Sequence, residues 1–119
     1  MSSLIECQGM KIIIIIVYRP GTYPMQEFLD DLKEEIEALP SEYRKIVVGD
    51  FNFDLRLENK ELYINNYCHR LNLKQKVNYT THIKGGILDL IMDCRDSHGF
   101  TDWMPTPFSD HFIIYYNLN

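Results

Sequence analysis

The chain reads as an α/β protein with a mixed or antiparallel sheet and helices on one face. Three stretches predict this: an apolar β-branched run, an amphipathic helix after it, and a second short apolar run beyond the helix. From Met10 to Val17 the residues are apolar without alternation, the pattern of a central strand covered on both faces. Pro20 withholds a ladder donor and Gly21 permits a turn, so Tyr18-Arg19-Pro20-Gly21 ends that strand. Phe28, Leu29, Leu32, Ile36 and Leu39 recur at helical spacing, with Asp30, Asp31, Lys33, Glu34, Glu35 and Glu37 on the other face and Pro40 as the stop. Ile46-Val47-Val48 follows as a second buried strand, with Gly49-Asp50-Phe51-Asn52 as the loop at its end. Strand, helix, strand in this order predicts a crossover unit.

Downstream, Leu62 to Leu73 is expected to form a second helix with Leu62, Tyr63, Tyr67 and Leu71 facing inward and Cys68 as a further candidate for that face. Lys76 to Thr81 and Ile87 to Met92 are expected to pair as a hairpin around Lys84-Gly85-Gly86. Phe112 to Tyr116 reads as a last strand. Arg95 to Ser109, holding Trp103, Pro105 and Pro107, reads as a loop with a mobile tip. No repeat or linker splits the 119 residues, so a single domain is expected.

Bulk composition narrows the function. Seventeen acidic against twelve basic residues give a net charge of -5, the wrong sign for binding nucleic acid by bulk attraction. A carboxylate cluster that holds a divalent cation also lowers net charge, so a metal-dependent nuclease stays within reach. The three cysteines, Cys7, Cys68 and Cys94, are odd in number and widely spaced, which suits a reducing intracellular setting and does not make a structural zinc site. The apolar run is far shorter than the roughly 20 residues that span a bilayer, so no membrane partner is expected.

Polar residues gather at strand ends: Tyr18 after the first strand, Asp50 and Asn52 after the second, Asp110 and His111 before the last. Polar groups at one pole of a sheet commonly form a site. Phosphodiester cleavage has use for such groups, because it needs a positioned water, a base, and positive charge against the developing phosphorane. Turn chemistry is the competing account of Asp50 and Asn52, and a capped strand start that of Asp110-His111. Tyr63, Tyr67, Tyr115 and Tyr116 read as core residues with wet hydroxyls, and His69, His82 and His98 as surface or packing residues.

Gly49-Asp50-Phe51-Asn52, Leu88-Asp89-Leu90-Ile91 and Ser109-Asp110-His111, in that order, resemble the endonuclease/exonuclease/phosphatase superfamily. Val17-Tyr18-Arg19-Pro20 and Tyr79-Thr80-Thr81-His82 with Lys84-Gly85-Gly86 resemble in particular the nuclease domains encoded by mobile elements of the retrotransposon type. The resemblance implies the C-terminal half of a layered sandwich and a magnesium- or manganese-dependent endonuclease acting on DNA. It implies Asp50, Asn52, Asp89 and His111 as catalytic residues and Tyr18, Arg19 and Thr81 as substrate contacts. Asp50, Asn52 and Asp110 are implied as metal ligands.

The match departs from the family in one respect: the N-terminal half with its asparagine and main metal-ligand glutamate has no counterpart. Glu6 falls on a later strand, and Gly21 and Thr22 stand where a further asparagine is expected. Weak or absent activity as an isolated half follows, and so does a partner over the apolar face of Ile12 to Val17, either a second copy or a complementary half. A catalytically dead interaction module and a small-molecule phosphatase are the alternative readings.

Overall fold

The computed structural model describes residues 2–7 and 10–118, with side chains from Lys11 to Leu118. Strands β1 (Ser2–Cys7), β2 (Met10–Tyr18), β3 (Arg44–Asp50), β4 (Leu73–Gln75) and β5 (Asp89–Cys94) form one sheet in the order β1-β2-β3-β5-β4. Helix α1 (Met25–Ala38) carries the chain from β2 to β3 as the expected crossover, and those two strands run parallel. All other neighbours in the sheet are antiparallel, so the sheet is mixed. Strands β6 (Phe100–Met104) and β7 (Ile113–Asn117) make a separate two-stranded sheet.

The two faces of the large sheet have different cover. Alternate side chains point to opposite faces of a strand. Ile13 and Ile15 of β2, Val47 of β3 and Leu90 and Met92 of β5 pack with Phe28, Leu29, Leu32 and Ile36 of α1. Ile64, Tyr67 and Cys68 of helix α2 (Lys60–Arg70) join the same cluster, so both helices lie on one face, as expected. Ile12, Ile46 and Ile91 face the other way and meet Val77, Ile114 and Tyr116. The β6–β7 pair is tied to this second face by Asp93, which accepts bonds from Arg44 Nε at 2.9 Å and the Tyr116 hydroxyl at 2.5 Å. Cover there is incomplete: Ile16 is 50% exposed and Tyr18 64%. The Met10–Val17 run is therefore not buried on both faces along its whole length.

Three expectations need correction. The second helix ends at Arg70, not Leu73, because Asn72 takes the left-handed conformation (φ 57°) and its N–H caps the His69 carbonyl. Leu73 then starts β4. Between a Lys76 N–H bond to the Ile91 carbonyl at 2.7 Å and a Thr81 N–H bond to the Gly86 carbonyl at 2.9 Å, residues 77–80 form no hairpin strand: the Gln75 side chain both accepts from and donates to Val77 in place of a strand partner. Finally, residues 100–104 of the expected loop are a strand, fixed by Trp103 stacked on Phe112 at 4.9 Å and by a Tyr79–Thr101 hydroxyl bond of 2.5 Å. Of the tyrosines read as core, Tyr67 is buried with its hydroxyl on the Leu29 carbonyl at 2.8 Å, while Tyr63 and Tyr115 are exposed.

Candidate active site at the pole of the sheet

Strand register alone lines up the site. Tyr18 pairs with Asp50, and Asp50 pairs with Asp89, so one row across β2, β3 and β5 ends in a phenol and two carboxylates. The row can form because Gly49 lets β3 lie against β2; a Cβ there would stand 1.8 Å from the Val17 carbonyl oxygen. After the row the chain turns through Phe51, fully buried under the helices, and Asn52 in the left-handed region at φ 54°. Asparagine tolerates that backbone better than most residues. The Asn52 N–H donates to Asp50 Oδ1 at 2.8 Å, which holds the carboxylate at the mouth of the turn.

His111 arrives from the other side. Residues 81–83 pair with 110–112 through an isolated bridge between His82 and His111, flanked by Phe112 N–H to Thr81 O at 2.9 Å and Ile83 N–H to Asp110 O at 2.7 Å. The segment that failed to join the large sheet thus carries His111 to the carboxylate row. His111 Nδ1 lies 2.7 Å from Asp89 Oδ2, and Nε2 lies 3.6 Å from Asp50 Oδ2. One imidazole therefore faces a carboxylate at each nitrogen.

The electrostatics follow from that geometry. For His111, burial favours the neutral ring, yet the Asp89 hydrogen bond and the charges of Asp89, Asp50 and Asp110 outweigh it and raise the pKa above the ordinary value. For Asp50, burial raises the pKa, the Asn52 N–H opposes this, and the Asp89 charge adds to it. Both groups hold protons more firmly than they do in water, Asp50 chiefly through burial and His111 through its carboxylate neighbours.

Two residues expected to touch substrate serve instead as braces. Arg19 is buried and spends its guanidinium on three backbone carbonyls: Phe51 at 2.7 Å, Asn52 at 2.9 Å, and Tyr23. It fixes the turn that presents Asp50, with three of its five N–H donors committed to backbone carbonyls. Thr81 is fully buried, and its hydroxyl accepts from the N–H groups of Leu88 at 3.0 Å and Asp89 at 3.2 Å, which sets the start of β5. Tyr18 and Asn52 are exposed beside the carboxylates, so their positions do suit contact with a ligand. The sequence gives His82 no role beyond surface or packing, although it closes the Tyr79-Thr80-Thr81-His82 stretch. Its ring stands edge-on to His111 with centroids 5.0 Å apart.

A divalent cation can be weighed against this donor set. Among the described residues, Asp50, Asp89 and His111 form a group whose ligand-type atoms all lie within 4.8 Å of one another. The Asp110 carboxylate, expected as a ligand, is outside that group, and its backbone carbonyl is engaged with Ile83. Hard cations such as magnesium take carboxylate oxygens and water, so Asp50, whose Oδ2 has only the distant His111 ring before it, is the better donor. Asp89 has its Oδ2 engaged by His111 Nδ1. The residues present fit a cation held by a single main carboxylate and water, a partial shell.

No family model and no curated protein matches this chain. Solved structures do. An endonuclease/exonuclease/phosphatase family protein from Leptotrichia buccalis C-1013-b superposes with a TM-score of 0.75 and 19% identity, covering 99% of this chain and 52% of its own. The endonuclease domain of TRAS1, a telomere-specific non-LTR retrotransposon, gives 0.75 and 17% identity over 98% of this chain and 60% of its own. Beta toxin from Staphylococcus aureus gives 0.64 and 15% identity, over 99% and 56%. The chain thus spans little more than half the length of the structures it matches, and at these identities the likeness is one of fold. The fold of this chain is that of the endonuclease/exonuclease/phosphatase proteins, with the retrotransposon endonuclease among its near matches.

Proposed function

We propose that this chain carries the phosphate-handling part of a divalent-cation-dependent endonuclease that acts on DNA phosphodiester bonds. The supporting observation is the His111 imidazole set between Asp89 and Asp50 at the pole where β2, β3 and β5 end their shared row. Asp89 fixes Nδ1–H and leaves Nε2 to face the reacting centre. In its protonated form His111 offers positive charge to a phosphorane oxygen. Asp50 orients or deprotonates the attacking water, Asn52 hydrogen-bonds that water or the scissile phosphate, and Tyr18 donates its hydroxyl to a phosphate oxygen. Magnesium or manganese held by Asp50, with the Asn52 amide oxygen, supplies Lewis-acid charge when bound.

The test is a magnesium-dependent plasmid-nicking assay on the chain and on Asp50→Ala and His111→Ala. Nicking by the parent that falls by about a hundredfold or more in either variant is the expected result. No nicking by the parent, alone or with a complementary half, rejects it.

A second reading, a catalytically dead interaction module, is favoured by the exposed apolar side chains of Ile16 and Tyr18 beside the site. On that reading the face binds a second copy or a separately encoded half and the site residues are relics.

A further inference from the structure

We propose that His82 is a further substrate-binding residue, presenting a neutral Nε2–H to a phosphate oxygen beside His111. The proposal rests on the phosphodiesterase reading of the pole. Backbone pairing carries it first: the bridge between His82 and His111 places the two residues directly opposite each other on adjacent extended segments. Their rings then meet edge to face at 84° and 5.0 Å. Both imidazoles therefore stand at one edge of the same carboxylate row.

The turn fixes the tautomer. The Lys84 N–H donates to His82 Nδ1 at 3.1 Å, so Nδ1 must keep its lone pair and the ring proton sits on Nε2. The same turn is closed by Gly85 N–H to the His82 carbonyl at 2.9 Å, which holds the backbone of the ring-bearing residue. Nε2 has no hydrogen-bond partner among the described residues, and it is not among the buried polar atoms left without one, so it reaches solvent. A ring held at one nitrogen by the backbone, with a free donor at the other, is a preorganised contact for an anion.

A core or surface histidine needs neither feature. The carboxylates of Asp50 and Asp89 are acceptors and repel phosphate, so a site built on them gains from donors that bring no further acceptor. His111 is one such donor and His82 the second, at the spacing of two neighbouring rings. Because His82 is neutral in this tautomer, it adds a hydrogen bond without competing with His111 for the carboxylates.

The experiment uses the full chain, labelled with nitrogen-15 in its histidines, titrated with inorganic phosphate in the presence of magnesium. Long-range proton–nitrogen spectra of the free chain should show His82 with its proton on Nε2, and phosphate should shift the Nε2 signals of both His82 and His111. His82→Phe, which keeps the ring contact and loses the donor, should bind phosphate about tenfold more weakly. His82→Gln, which places an amide donor near the same point, should recover most of that loss, and native-like amide spectra confirm folding of both variants. Phosphate that moves His111 and not His82, or unchanged affinity in His82→Phe, overturns the inference and leaves the phosphodiesterase reading standing. Phosphate that moves neither ring overturns both.

Discussion

At the scale of single residues, the proton on His111 is the quantity that decides what the site does. The ring is raised above its ordinary pKa although burial acts against it, because Asp89 bonds Nδ1 and Asp50 faces Nε2. The folded chain therefore binds this proton more tightly than the unfolded chain. Its contribution to stability is complete below about 6.5 and is lost as pH rises through the folded value. A histidine titration by NMR should find the His111 midpoint above 6.5, and Asp89→Asn should lower it; a midpoint at or below 6.5 in the parent rejects the two-carboxylate arrangement. The motif residues Asp50, Asp89 and His111 were legible in the sequence, and the coordinates bring them within reach of one another. Arg19 and Thr81 were named only as substrate contacts that the resemblance implies, and not as braces. A sequence shows that a polar residue follows a strand, and not whether its side chain turns outward to a ligand or inward to orphaned backbone groups. His82 was read as a surface or packing residue for a related reason: its place opposite His111 depends on a pairing that no local pattern encodes.

At the scale of elements, the β2–α1–β3 crossover was legible because each piece carries its own period, and α1 ends just before Pro40 as expected. The stretch from Leu71 to Thr81 was misread because its signals are side-chain specific. Asn72 stops α2 where a Gly or Pro would have been plain, and Gln75 imitates a strand partner. The pairing of β2 with β3 has one tight point, and it bears directly on the site. At Gly49 any Cβ collides with the Val17 carbonyl, so Gly49→Ala must spread the two parallel strands one residue before Asp50. A loss of about 3 kcal/mol in urea unfolding is the expected result. The same variant should displace Asp50 from its place opposite Tyr18 and weaken nicking beyond what the stability loss explains. An alanine variant of parental stability would mean that the strands do not approach so closely.

At the scale of the whole molecule, the helical face and the opposite face of the sheet are not equivalent. The helices close the first, while the β6–β7 pair, anchored through the Arg44–Asp93 ion pair and Tyr116, covers the second over β3, β5 and the Ile12 end of β2 but not as far as Ile16 and Tyr18. The unalternating run of β2 was read as covered on both sides, since a sequence records that a residue is apolar but not which layer meets it. Ile16 at 50% and Tyr18 at 64% exposure mark the open part, beside the carboxylate row. On the proposal that a second copy or a complementary half covers this apolar strand surface, covering it and completing the site would be one event. Light scattering on the parent across a concentration series should then show self-association, or a shift to a defined complex when a complementary half is supplied. Ile16→Lys should abolish either association while changing unfolding stability by no more than about 0.5 kcal/mol, the usual range for a surface position. A parent that stays monomeric at high concentration, binds no apolar dye and accepts no complementary half would show that this face is finished as it stands, and any activity of the pole would have to be measured on the chain alone.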